Sequence, residues 1–69
     1  MEYEYSLESL QQAQHTVEYR KALVELANAE YEQAVAANKQ APNAISEFEM
    51  RRLKIMVTLA EAKLKEVAE

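Results

Sequence analysis

The stretch Ala41–Pro42–Asn43–Ala44–Ile45–Ser46–Glu47–Phe48–Glu49–Met50 constrains this chain more than any other. Proline cannot continue a helix and pushes the residue before it out of the α region, so a helix arriving from the N-terminal side stops before Pro42. Ser46 and Glu49 then stand at capping-box spacing: the hydroxyl can accept from the Glu49 amide, and the carboxylate can reach back to the Ser46 amide. Ile45 before the cap and Met50 four residues after it are placed as a hydrophobic staple. One helix therefore ends near residues 38–40 and a second begins at Ser46. A connection this short makes the two helices antiparallel neighbours.

The flanking composition suits that reading. The 69 residues include no Gly, one Pro, no Cys and no Trp, and 49% are hydrophobic, many of them Ala. With Glu, Gln, Lys and Leu making up much of the rest, this is the vocabulary of long helices. A chain of this length forms one domain at most, near the lower limit for a self-sufficient core. The lack of Cys excludes disulfides, thiolate metal sites and thiol nucleophiles. A net charge of −4 argues against nucleic acid, which needs a concentrated basic face. No apolar stretch approaches the ~20 residues that span a bilayer. Glu2, Glu4 and Glu8, with no basic run among them, are unlike the start of a signal peptide.

Periodicity carries the helices outward from the turn. Ser6 is a start signal for the first helix, with Tyr5 and Leu10 in staple positions. From Leu10 a heptad seam runs through Ala13, Val17, Arg20, Val24, Ala27, Tyr31 and Ala34, broken only by Arg20. Tyr19, Leu23 and Leu26 form a second apolar strip beside it. The second helix has its own seam of Met50, Leu53, Val57, Ala60, Leu64 and Val67. Its second set, Ile45, Phe48, Ile55, Met56, Leu59 and Ala62, lies on a separate arc. Folding about Pro42 sets Tyr31 against Leu53, Ala27 against Val57, Val24 against Ala60 and Val17 against Val67. Residues before about Gln14 are then left with no opposite helix. The expected architecture is all-α, an antiparallel two-helix coiled-coil hairpin of about 6–40 and 46–69 joined by a turn at 41–45.

One neighbour cannot cover both strips of the second helix. Ile45, Phe48, Ile55, Met56 and Leu59 are therefore the expected interface of a homo-oligomer, a dimer in isolation, giving a helical bundle. Catalytic and cofactor chemistry finds no foothold. There is no Gly-rich phosphate loop, no nucleophile–base constellation, and a two-helix hairpin has no room for a pocket. No cofactor, no metal and no enzymatic activity are expected. His15, with Glu18 and Glu8 a turn or two away, reads as a surface residue, because divalent sites usually need three or four ligands. The Arg51–Arg52–Leu53–Lys54 cluster reads as a solvated face, and the Tyr residues as packing.

The segment Ala29–Glu30–Tyr31–Glu32, Asn38–Lys39, Pro42–Asn43–Ala44–Ile45–Ser46–Glu47, Glu49, Arg51–Arg52–Leu53–Lys54, Ala60–Glu61–Ala62 and Leu64 resembles the helical hairpin of HlyD-type membrane fusion proteins, the periplasmic adaptors. In that family an Ala-rich helix ends in a short loop, and an Ala-Ile-Ser segment caps a return helix with acidic first-turn residues. The resemblance covers about half the chain. It implies an assembly element that bridges an inner-membrane transporter and an outer-membrane channel in export, located in the periplasm or cell envelope. Of the family's channel-docking pattern, an Arg and a Leu ahead of the tip Ser, only Ser46 is present, since Val35 and Lys39 stand at the other two positions. The tip is also somewhat longer and contains Pro42. The chain is then an excised hairpin or a free-standing relative. The competing expectations are a stand-alone or designed helical dimerisation module and a small regulatory or cargo-binding protein.

Overall fold

The computed structural model describes the backbone of residues 2–68 and the side chains of 16–68. Helix α1 runs over Glu2–Gln40 and helix α2 over Glu47–Ala68. They fold back on each other as an all-α hairpin measuring 60 × 15 × 13 Å. The first helix starts at Glu2, so Ser6 lies inside it and does not cap it. Glu and Tyr tolerate a helix interior, and acidic residues are favoured in a first turn by the helix dipole, so the run continues through Ser6 to Glu2. The side chains of Tyr5, Leu10 and His15 lie outside the described residues.

The turn is built by three residues acting together. The Ala44 amide donates to the Ala41 carbonyl at 2.9 Å, and Asn43 holds φ 67°. Pro followed by a left-handed residue, with that closing bond, matches a type II β-turn, in which Asn is one of the few residues that accept positive φ. The Ala41 amide still donates to Ala37 at 2.9 Å, which ends α1 cleanly. Asn38 then reaches forward from the last turn, and its Oδ1 accepts the Ile45 amide at 2.8 Å. An amide between two helices is thereby satisfied by a side chain.

Packing follows the two seams. Ala27 and Ala34 of α1 and Leu53 and Ala60 of α2 are the buried apolar residues among those described. Val17, Arg20, Val24, Tyr31, Met50, Val57, Leu64 and Val67 are half-buried around them. Alanine on a seam lets two helices approach closely but removes little apolar area from water. The pairing differs from that read from sequence. Ala27 and Ala60 line the same stretch of interhelical groove, and Ala34 and Leu53 line the adjoining one, so the register is shifted by about three residues. The reason is the turn. The first helix persists to Gln40 and the second waits until Glu47, so the chain folds between Asn43 and Ala44 rather than at Pro42.

Candidate functional site: an apolar interhelical face

The start of α2 shows how the tip is held. The Ser46 hydroxyl accepts the Glu49 amide at 3.1 Å, and the Ser46 carbonyl accepts the Met50 amide at 2.9 Å, so Ser46 is the N-cap. The expected return bond from the Glu49 carboxylate to Ser46 is replaced. That carboxylate takes Arg52, with Nη2 at 2.7 Å and Nε at 3.1 and 3.2 Å from its oxygens. A bidentate guanidinium contact offers the carboxylate several bonds and a full opposite charge, where the amide offers one bond. The hydrogen bond from Arg52 holds the Glu49 carboxyl below its usual range, and the same contact raises Arg52. Ile45 and Met50 are both half-buried, while Pro42 is exposed.

Arg20, the charged member of the α1 seam, spans the two helices. Its Nη1 donates to the Lys63 carbonyl at 2.6 Å and to the Glu66 carboxylate at 3.1 Å. The long side chain covers seam surface with its methylenes and grips α2 near its end. Sequence reasoning treated Arg20 as a break in the pattern. Its seam position facing the last turns of α2 was the available signal.

At 3.6 residues per turn the exposed residues sort onto two opposite sides. One side carries Lys21, Glu25, Glu32 and Lys39 from α1 and Glu47, Arg51, Lys54, Thr58, Glu61 and Lys65 from α2, all exposed. The other side carries the large apolar residues found in water among those described, Tyr19, Leu26, Phe48, Ile55, Met56 and Leu59, with Phe48 at 76% exposure, interspersed with the exposed Glu30, Arg52 and Lys63. Of the five expected interface residues, Phe48, Ile55, Met56 and Leu59 are exposed on this face, and Ile45 is half-buried at its tip end. An open groove of about 150 Å³ runs between the helices here, walled by Leu23, Leu26 and Glu30 on one side and Met56, Leu59 and Lys63 on the other. It continues toward the turn past Glu30, Ala37, Ile45 and Glu49. Sequence reasoning found both strips but treated them separately. Their union into one face depends on the hairpin geometry.

The groove is shallow and open, and its chemistry is that of packing. Among the described residues no group of three or more His, Asp or Glu side chains is placed to hold a metal ion. Likewise no described helix is long and apolar enough to cross a membrane. Comparison with family models, curated proteins and solved structures gives no match.

Proposed function

We propose that the chain is a non-enzymatic assembly element, whose exposed apolar face packs against a neighbouring hairpin. One observation carries this reading: among the described residues one side is charged, while the other sets six large apolar residues in water among Glu30, Arg52 and Lys63. Contiguous apolar surface of this kind marks interaction sites. The resemblance to HlyD-type adaptors supplies a setting, a hairpin between an inner-membrane transporter and an outer-membrane channel in the cell envelope. The slender 60 Å hairpin and the Ser46-capped tip support that setting. A stand-alone dimerisation module is the second reading. It is favoured by the tip-proximal positions, where Val35 is half-buried and Lys39 is an exposed cation.

Sedimentation equilibrium on the chain and on Ile55→Asp tests the assembly reading. The native chain is expected to associate at micromolar concentrations, and the variant to dissociate. Arg51→Asp on the charged side serves as the control and should associate as the native chain does. A folded native monomer up to millimolar concentration would overturn the proposal. A photocross-linker at Ala44 in cells separates the settings: an adduct with a channel protein supports the adaptor reading, and its absence supports the stand-alone module.

A further inference from the structure

Along the apolar face, the residues that α1 presents and those that α2 presents have the same spacing. Tyr19, Ala22, Leu23, Leu26 and Glu30 occur on α1, and Arg52, Ile55, Met56, Leu59 and Lys63 occur on α2. Each α1 residue is matched by an α2 residue 33 positions later. Ordered by distance from the turn, eight of these residues read Arg52, Met56, Glu30, Leu59, then Leu26, Lys63, Leu23, Tyr19, and the middle six wall the groove. Turned end for end, this series places every member opposite a complementary one.

Resting on the assembly reading above, we propose that a second copy of this chain covers the face in the opposite direction. The two-fold axis passes through a central layer of Leu26 and Leu59 from both copies. In that register Glu30 shares a layer with the partner's Lys63, and Leu23 with the partner's Met56. Tyr19 shares a layer with the partner's Arg52, a ring and a guanidinium at the same level. The arrangement is isologous, so every contact occurs twice.

Two observations select a second copy, and this direction for it. Among the described residues, the five exposed apolar side chains inside this register, Tyr19, Leu26, Ile55, Met56 and Leu59, present on the order of 500 Å² at roughly 100 Å² each. A stable interface removes about 800 Å² from each partner, and the flanking charged residues supply the remainder as a rim. The second observation is charge. Glu30 and Lys63 both wall the groove at unequal distances from the turn. A parallel two-fold would bring each level with its own counterpart, like charge against like. The antiparallel two-fold brings Glu30 level with Lys63, and complementary charges are what set orientation between associating surfaces.

A nitroxide at the tip measures the geometry directly. Ala44 is exposed and remote from the proposed contacts, and the chain has no cysteine, so Ala44→Cys gives one label per copy. At 1.5 Å per residue the Leu26–Leu59 layer lies about 25 Å from the turn, so the two tips should sit about 50 Å apart. In parallel, Glu30→Lys and Lys63→Glu should each weaken association about tenfold, and the double variant should recover it. A tip-to-tip distance under about 25 Å, any other distance, or a double variant no better than the singles would overturn this register. Those results would leave the apolar interface standing. A chain that stays monomeric would instead overturn the assembly reading itself.

Discussion

At the scale of single residues, the hairpin depends on a few polar groups in the turn. Asn43 sits at φ 67°, where a β-branched residue would be strained, and Asn38 satisfies the Ile45 amide. Ser46 is the most testable of them, because its hydroxyl accepts the Glu49 amide at an exposed helix start. Ser46→Ala should cost about 1 kcal/mol in urea denaturation, the usual loss for an N-cap. Glu47→Ala, in the same turn but without that bond, should cost clearly less. Equal effects would show that the cap contributes nothing. Pro42, Ser46 and Glu49 were legible in sequence because their chemistry is local. The partner of Glu49 was not, since a capping box and an Arg52 ion pair are both within its reach and only the three-dimensional fit chooses between them.

At the scale of elements, α1 with 39 residues is far longer than α2 with 22. The shorter helix must therefore be held at its open end, away from the covalent turn, and Arg20 does this through Lys63 and Glu66. Arg20→Met keeps most of the apolar length and removes the grip. Amide exchange over residues 64–67 should then rise several-fold, with little change around Leu53, which is buried nearer the turn. Uniform exchange along α2 in both proteins would show that the clasp is not what holds the end. Heptad spacing placed Arg20 on the seam from sequence alone. Its role depended on the register, which moved with the length of the turn.

At the scale of the whole molecule, the buried core is thin: among the described residues, three of the four buried apolar ones are alanine. A fully buried Leu contributes about 1.5–3 kcal/mol, and Ala much less, while every ordered residue loses conformational entropy. A hairpin of this kind gains from any partner that binds only its folded form, and that gain grows with concentration. The melting midpoint should therefore rise by several degrees over a hundredfold increase in protein concentration. In Ile55→Asp it should be independent of concentration. A native midpoint that does not move would mean that the apolar face stays open to water.

The helices, the turn and the two seams follow from the sequence by itself, because each rests on interactions within about seven residues: the Pro42 stop, the Ser46 cap and the alternating three-and-four spacing. Tertiary structure decided everything that required both helices at once. It set the register through the six residues between Gln40 and Glu47, and it turned Arg20 from an interruption into a clasp. It also joined Tyr19 and Leu26 with Phe48, Ile55, Met56 and Leu59 into one face. Helical periodicity tells which residues share a side of one helix, but only the direction and offset of the second helix tell which sides coincide.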